Sequence, residues 1–338
     1  MSLKSAMVAT VVIATTMACH SSQPTSQGVS QRPSTSSEST SNKFVAVTQI
    51  VEHPALNATR DGVKAELEAA GYKVDKNLKW EWQSAQGQPA TATQIASQFV
   101  GKKPDVMVAI STPSAQAVVS ATRDIPVVFT AVTDPLGAKL VPNMNKPGGL
   151  VTGVQAIAPI GKHLDLISKI IPKAKRIGVL YNAGEPNAVT LVNLLKREAP
   201  VRGINLVEAT VVSSGEVATA ARSLVGKADV IYVPTDNTVV SALESVIQVG
   251  RENKLPVFSG DNDSVARGAI ASLSYNYFDV GRQTGQVVVR ILNKEKPGDI
   301  AVEPAKKLEL HVNPKSAEAM GVKIPESVLK DAAKVIGN

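Results

Sequence analysis

The chain repeats one pattern of residues after roughly 130 positions, and this internal repeat limits its fold more than any other feature. Each copy contains an apolar run, two helix-like stretches and a second apolar run. The matching segments are 44–54 with 176–186, 71–74 with 203–206, 92–100 with 217–225, 103–110 with 227–234, and 124–129 with 254–258. Solenoid proteins repeat after only about 20–50 residues, so this longer period predicts two similar domains.

Within each half, strand-like and helix-like segments alternate. Residues 106–110 and 230–233 are continuously apolar, as strands buried on both faces of a sheet are. Segment 55–70 instead places its apolar residues near one helical face, and Gly71 is suited to end that helix. Alternating strands and helices form parallel sheets. The predicted fold class is therefore α/β, with two Rossmann-like, doubly wound parallel-sheet lobes and a ligand cleft between them.

Polar residues are concentrated in the loops that follow the predicted strands. In doubly wound sheets, ligands bind at the carboxyl ends of the strands, where helix N-termini present free N–H groups. We therefore predict that these loops bind a small molecule. The candidate ligand-binding residues are Gln49, Glu52, His53, Ser111, Thr112, Ser114, Ala115, Gln116, Thr130, Thr133, Asp134, Tyr181, Asn182, Glu185, Thr235, Asp236, Asn237 and Asp261.

Residues 111–114 (Ser-Thr-Pro-Ser) open a predicted helix, with hydroxyls at the cap and proline in the first turn. One interpretation is plain N-capping, which stabilises a helix by about 1 kcal/mol. The other is that the free N–H groups and hydroxyls bind a ligand carboxylate, helped by the helix dipole. These residues directly follow the predicted buried strand at 106–110, which favours a ligand-binding role, and both interpretations stay open.

Four acids stand in the candidate loops, namely Asp134, Glu185, Asp236 and Asp261. Acids near helix N-termini are often structural, because they interact favourably with the helix dipole. A buried ligand ammonium nevertheless requires a carboxylate partner. We expect Asp236 or Asp261 to supply it, from the lobe opposite the carboxylate-binding loop.

Aromatic side chains could contact an aromatic ligand or pack in the core. Tyr181 directly follows a predicted strand, which is why it is a candidate. Phe129, Tyr275 and Tyr277 are interpreted as core residues that could also reach the cleft.

Catalytic motifs are absent from the sequence. The histidines His20, His53, His163 and His311 do not form an HExxH pair, and there is no P-loop, GxGxxG after the first strand, or GxSxG nucleophile motif. His53 beside Glu52 is the best catalytic candidate, but a lone loop histidine is more often a pocket or turn residue. The net charge of +7 comes from scattered Lys and Arg, which argues against nucleic-acid binding. We predict a non-catalytic protein without metal or cofactor.

The N-terminus resembles an export signal. Lys4 precedes an apolar run at 6–14 that is shorter than the ~20 residues needed to cross a bilayer. Cys19, the single cysteine, follows Ala18 where a lipoprotein signal would be cut, and residues up to 42 are mostly Ser, Thr, Gln and Pro. We predict a signal peptide at 1–18 and a lipid-anchored flexible tether at 19–42, outside the cytoplasm. An ordinary signal peptide with an incidental cysteine is the alternative.

A series of short motifs runs through residues 43–336. They stand at 50–56 (Ile-Val-Glu-His-Pro-Ala-Leu), 84–87 (Ser-Ala-Gln-Gly), 109–116 (Ala-Ile-Ser-Thr-Pro-Ser-Ala-Gln), 126–135 (Pro-Val-Val-Phe-Thr-Ala-Val-Thr-Asp-Pro), 146–153 (Lys-Pro-Gly-Gly-Leu-Val-Thr-Gly), 234–237 (Pro-Thr-Asp-Asn), 260–263 (Gly-Asp-Asn-Asp) and 281–285 (Gly-Arg-Gln-Thr-Gly). In this order they resemble the ABC-transporter substrate-binding family typified by tryptophan/tyrosine-binding lipoproteins. The chain departs from that family at 182–185, which reads Asn-Ala-Gly-Glu instead of Asn-Pro-Gly-Glu, and at Thr16, where a lipobox usually has leucine.

This resemblance implies a type I periplasmic binding protein fold with three crossovers between the lobes, near 154–158, 272–276 and 304–308. It also implies that an aromatic amino acid is the ligand and that an ABC permease with its ATPase is the partner. The implied lobes are an N-terminal lobe of 43–155 plus 277–304 and a C-terminal lobe of 156–276 plus 305–338.

The expected function is capture of an amino acid for import, by closure of two lobes and without chemistry. A sensory receptor with the same fold, which would signal instead of transporting, is the alternative. An extracytoplasmic enzyme would turn its ligand over. A repressor would need a helix-turn-helix ahead of residue 43, where the sequence has none.

Overall fold

The computed structural model describes residues 42–337. The predicted signal peptide and Cys19, with all but the last residue of the predicted tether, lie outside this range.

The described chain alternates strands and helices. Its first elements are β1 (Lys43–Gln49), α1 (Pro54–Ala69), β2 (Leu78–Ser84), α2 (Pro89–Gly101), β3 (Val106–Ile110), α3 (Thr112–Ala121), β4 (Val127–Val132) and β5 (Val151–Gln155). The next are α4 (Ile160–Ile170), β6 (Arg176–Asn182), α5 (Pro186–Val201), β7 (Asn205–Val211), α6 (Val217–Ser223), β8 (Val230–Val233), α7 (Asn237–Ser241), α8 (Leu243–Glu252), β9 (Val257–Ser259) and α9 (Asp263–Ala266). The last are β10 (Ala271–Tyr275), α10 (Tyr277–Leu292), β11 (Glu303–Pro304), β12 (Leu308–Val312), α11 (Pro314–Ala319), α12 (Glu326–Asp331) and β13 (Lys334–Val335).

Two parallel sheets form the centres of the two lobes. The first sheet has six strands in the order β11-β5-β4-β3-β1-β2, and every pair in it is parallel. The second has four strands in the order β7-β6-β8-β9, also parallel throughout. A smaller mixed sheet contains β10, β12 and β13. The predicted α/β class with two doubly wound lobes is confirmed.

Each lobe has its own hydrophobic core. The first core takes its residues from 44–154 and again from 280–302. The second takes them from 158–271 and 312–328. Strand β3 is buried along its whole length, which agrees with its continuously apolar sequence. The chain therefore passes between the two cores three times.

The returning helix α10 packs closely on α1 of the first lobe. A Cβ atom at Gly62 would collide with the carbonyl oxygen of Phe278, and one at Gly281 would collide with that of Thr59. These two glycines let the helix backbones approach. This contact joins α10 to the first lobe, although the helix follows the second lobe in sequence.

Candidate functional site

A cavity lies between the two lobes and is lined by residues of both. Among the residues predicted from sequence, those that line it are His53, Ser111, Thr133, Thr235, Asn237 and Asp261. The other lining residues are Ala55, Leu56, Ala131, Ala156, Asn187, Val240 and Tyr277. Of these, Tyr277 was expected as a core residue that could also reach the cleft. Residues of both lobes therefore line the same cavity.

A second, larger groove is lined by three other predicted residues, Gln116, Asn182 and Glu185. The two spaces differ in their buried polar atoms. Within the described chain, unpartnered buried side-chain atoms of His53, Asn187 and Thr235 belong to the cavity, and none belongs to a groove residue. Because such atoms are usually hydrogen-bonded, their presence favours the cavity as the ligand site.

Several predicted residues lie outside both spaces and form hydrogen bonds within the protein. The pairs are Gln49 with Val51 and Asn57, Glu52 with Gln86, Thr130 with Thr284, Asp134 with Gly137, and Tyr181 with Glu208. Thr112, Ser114 and Ala115 lie buried in the first turn of α3. The candidate residues thus divide among the cavity, the groove and positions that face other parts of the protein.

Thr130 was expected in a loop, but it lies within β4. The strand continues past it through an irregularity between Phe129 and Val132, where Ala131 has a φ of 52°. This bulge keeps β4 paired with β5 and turns Ala131 toward the cavity. The hydroxyl of Thr284 meanwhile donates to Thr130 at 2.7 Å, so the Thr130 side chain faces α10.

The N-terminus of α1 forms part of the cavity wall through Ala55 and Leu56. Pro54 has no N–H, and the N–H of Asn57 donates to the His53 carbonyl at 3.0 Å. No side chain caps this helix, and its first turn contains no acidic residue. The first N–H groups of a helix have no partner within it and attract anions. This wall can therefore receive a carboxylate.

The sequence analysis named His53 at this helix end but not Ala55 and Leu56, because backbone N–H groups are common to almost all residue types. The available signal was Pro54 in the first turn with no acid after it, a pattern that leaves the helix terminus open to an external anion.

Ser111 holds an unusual backbone conformation at the start of α3, with φ of 80° and ψ of 155°. That region is populated almost only by glycine and costs a non-glycine residue about 1–3 kcal/mol. Ala131, on the same cavity wall, also has a positive φ. Backbone strain of this kind is concentrated at functional sites, so it supports assignment of the site to this cavity.

Asp261 is the acid that lines the cavity from the second lobe. It is 2% exposed, and its carboxylate accepts hydrogen bonds from the Ser264 N–H at 2.8 Å and the Ser264 hydroxyl at 2.6 Å. Burial raises the pKa of Asp261, although these hydrogen bonds and the charge of Arg267 oppose the rise. Each carboxylate oxygen keeps a further lone pair, which a ligand ammonium could use.

Glu185 and Asp236 instead stabilise the start of α7. Glu185 accepts hydrogen bonds from the N–H groups of Asn237 at 3.0 Å and Thr238 at 2.8 Å, and from the Thr238 hydroxyl at 2.7 Å. Asp236 accepts from the Val239 N–H at 2.8 Å and does not line the cavity. Burial, followed by the charge of Glu185, raises the pKa of Asp236 well above its usual value. Of the two acids considered for the ammonium, only Asp261 reaches the cavity.

A buried hydrogen bond connects the two lobes beside the cavity. The hydroxyl of Ser111 in the first lobe donates to Oδ1 of Asn237 in the second, at 3.1 Å. The amide nitrogen of Asn237 donates to Glu185, which fixes the orientation of the amide. His53 also lies against Asn237, and burial followed by the charge of Arg267 lowers the pKa of His53 to about 3. The histidine is therefore a neutral group of the cavity wall.

Tyr277 is the aromatic residue of the cavity, whereas the candidate Tyr181 is not. Tyr277 is 6% exposed, and burial together with the charge of Asp261 raises its pKa. Tyr181 donates its hydroxyl to Glu208 at 2.7 Å and burial raises its pKa to about 12. The sequence favoured Tyr181 because it follows the predicted strand, but in the structure Tyr181 lies within β6. Tyr277 is the first residue of α10, which returns to the first lobe, and this long-range placement brings it to the cavity.

No helix within residues 42–337 is both long and apolar enough to span a membrane. In the same range, His, Cys, Asp and Glu side chains form no group of three that could hold a metal ion.

Comparison with known proteins gives consistent matches over the folded chain. Residues 44–336 match the model of the family described as ABC transporter substrate binding protein. A tyrosine-binding protein of Clostridioides difficile (strain R20291) is 41% identical over 283 residues, which cover 84% of this chain and 82% of that protein.

Two solved structures resemble the fold closely. One is an ABC domain in complex with L-Trp from Streptococcus pneumonia, with a TM-score of 0.84, 36% identity, and coverage of 88% of this chain and 100% of that chain. The other is the ligand-free, open structure of a substrate-binding protein with adhesive properties from Clostridium difficile. It has a TM-score of 0.66, 41% identity and the same coverage.

Proposed function

Because the chain belongs to the ABC transporter substrate-binding protein family, we propose that it captures an aromatic amino acid outside the cytoplasm for an ABC importer. The family resemblance noted from the sequence is thereby confirmed. The family consists of binding proteins and not enzymes, so the chain is not an enzyme.

The observation that carries the proposal is the complementary chemistry of the two cavity walls. The uncapped N-terminus of α1 offers N–H groups to a carboxylate, and Asp261 offers a carboxylate to an ammonium. A free α-amino acid carries both charges on one carbon atom. Charged groups that are removed from water require such partners, so this pair of walls favours a zwitterion over either singly charged analogue.

Closure of the lobes over the ligand is part of the same proposal. The hydrogen bond from Ser111 to Asn237 supports a closed arrangement, because it joins the two lobes at the cavity wall. The TM-scores support it as well. The fold is nearer to the L-Trp complex, at 0.84, than to the ligand-free, open structure, at 0.66, although the open protein is more similar in sequence. A ligand that contacts both walls only when they are close together shifts the population toward closure.

The remaining assignments are proposed on sequence grounds. They are the signal peptide at 1–18, lipidation of Cys19, the tether at 19–42, and delivery of the ligand to a membrane permease with a separate ATPase. The lobe limits of 43–155 with 277–304 and 156–276 with 305–338 are supported by the two hydrophobic cores.

The test is isothermal titration of protein that has been unfolded and refolded to remove any bound ligand. Tyrosine and tryptophan should bind one-to-one and be recovered unchanged. Tyramine, which lacks the carboxylate, and phloretic acid, which lacks the amino group, should each bind at least about 100-fold more weakly, because each leaves one buried charge partner unpaired. The proposal is wrong if neither amino acid binds, or if the two analogues bind as tightly as tyrosine.

A further inference from the structure

We infer that Asn187 and Thr235 select aromatic amino acids whose ring carries a hydrogen-bond donor, a phenol O–H or an indole N–H, over those whose ring carries none. This inference rests on the proposed function and specifies which ligands the cavity prefers. It concerns two residues of the second lobe that lie side by side in the cavity wall.

The orientation of the Asn187 amide is fixed by the protein. Its nitrogen donates to Oε2 of Glu185 at 3.1 Å and to the carbonyl oxygen of Thr235 at 3.0 Å. Both partners can only accept, so the nitrogen cannot exchange places with the oxygen. Asn187 is 4% exposed, and within the described chain its Oδ1 has no hydrogen-bond partner. Asn187 Oδ1 is therefore a buried acceptor in the cavity wall that has no donor within residues 42–337.

The hydroxyl of Thr235 stands beside this acceptor. It too is buried without a partner among residues 42–337. A hydroxyl can donate and accept, whereas the Asn187 oxygen only accepts. Buried polar groups in proteins are nearly always satisfied, so an unpaired couple inside a ligand cavity indicates polar atoms on the ligand.

The ligand carboxylate does not fit this couple, because it has no proton to donate to the Asn187 oxygen. The ammonium is placed elsewhere by the order of the strands. Asn187 begins the helix after β6, Thr235 follows β8, and Asp261 follows β9, with β8 between β6 and β9. Neighbouring strands are about 4.8 Å apart, so the ends of β6 and β9, which precede Asn187 and Asp261, are about 10 Å apart. Two acceptors of one ammonium lie at most about 6 Å apart, since each N···O distance is about 2.9 Å.

The ring end of the ligand is then the part that meets Asn187 and Thr235. A tyrosine hydroxyl can donate to Asn187 and accept from Thr235, so it satisfies both. A tryptophan N–H can donate to Asn187 but cannot accept from Thr235. Phenylalanine satisfies neither and leaves the acceptor buried and unpaired. A site built to bond a ligand O–H discriminates strongly against the analogue that lacks it.

The test is titration calorimetry of the full protein with tyrosine, phenylalanine and tryptophan. The wild-type protein should prefer tyrosine to phenylalanine by at least about 100-fold. The Asn187→Leu variant should bind tyrosine and tryptophan more weakly than wild type but phenylalanine equally well. Its preference for tyrosine over phenylalanine should therefore nearly disappear. Thr235→Val is the cleaner variant, because the hydroxyl it removes has no protein partner. Thr235→Val should reduce the preference for tyrosine over phenylalanine about tenfold and leave the affinity for tryptophan unchanged. Thr235→Ser, which keeps the hydroxyl, should retain the wild-type preference.

Two results would overturn the inference. One is wild-type protein that binds phenylalanine as tightly as tyrosine. The other is an equal loss for all three amino acids in Thr235→Val, which would assign the couple to the shared amino-acid head group. If Asn187→Leu does not fold, Thr235→Val still decides. Failure of the wild type to bind any of the three is a different outcome, which rejects the proposed function and this inference with it.

Discussion

Replacing Asp261 by asparagine should weaken ligand binding and stabilise the empty protein at the same time. The carboxylate is buried and lines the cavity, where it is placed to pair with the ligand ammonium. Removing one partner of a buried ion pair costs about 3–5 kcal/mol, which corresponds to a rise in Kd of about 100- to 5,000-fold. Asparagine keeps an oxygen that can accept from the Ser264 N–H, so the start of α9 should stay intact.

The effect on stability has the opposite sign. Burial raises the folded-state pKa of Asp261, which means that the ionised carboxylate opposes folding at neutral pH. This unfavourable contribution disappears as the pH falls through the raised pKa, because the carboxyl is then protonated in the folded state. Asp261→Asn should therefore increase the free energy of unfolding of the ligand-free protein at pH 7, and the increase should vanish in acid.

The assay combines calorimetry with tyrosine and urea unfolding without ligand at pH 7 and pH 4. Asp134→Asn is the matched control, since Asp134 accepts from the Gly137 N–H at 2.9 Å and lies outside the cavity. The control should bind tyrosine normally. An Asp261→Asn protein that binds within a few-fold of wild type, or that is less stable than wild type when empty, would refute the reasoning.

Other substitutions test the Ser111–Asn237 hydrogen bond between the lobes, the buried His53 and the contact between α1 and α10. Ser111→Ala removes the hydroxyl that donates to Asn237, so the affinity for tyrosine should fall about three- to tenfold. Small-angle scattering should also show a more extended ligand-free protein. If the affinity and the scattering are both unchanged, this bond has no role in closure. The pKa of His53 is about 3 in the folded protein, below its ordinary value of 6.5, so the unfolded chain takes up the proton first and stability should fall as the pH drops from 6.5 toward 3. Urea unfolding of His53→Gln should show a smaller fall than wild type over that range, and an identical fall would contradict the assignment. Gly62→Ala should lower the free energy of unfolding by about 1–3 kcal/mol, because its methyl group meets the Phe278 carbonyl; a melting temperature equal to that of wild type would show that α1 and α10 adjust freely.

The two parallel sheets could be predicted because their signals are local. Residues 106–110 are continuously apolar, and in the structure they form a strand with every residue buried. The helix predicted at 55–70 forms at Pro54–Ala69, and Gly71 follows it with a φ of 91°. Such patterns depend on burial and on backbone preference, which act in the same way in each copy of the repeat.

The ligand-facing side of the site was only partly predictable. Sequence placed Glu185 and Asp261 in equivalent loops, but the carboxylate of Glu185 turns to the start of α7 while Asp261 lines the cavity. That difference depends on hydrogen bonds between loops that are about 50 residues apart or more, which no local pattern encodes. Ala55 and Leu56 line the cavity at the start of α1, where the backbone N–H groups that we assign to the ligand carboxylate are the same for almost any residue type. The strained φ of Ser111 likewise depends on tertiary packing.

The most direct test of the central claim, capture of an aromatic amino acid between the lobes, is a crystal structure of the protein with tyrosine. The ligand should occupy the cavity, with its carboxylate at the N–H groups of Ala55 and Leu56, its ammonium at Asp261 and its hydroxyl at Asn187. Tyrosine bound in the groove beside Gln116, or bound in the cavity with its carboxylate directed away from α1, would contradict the account.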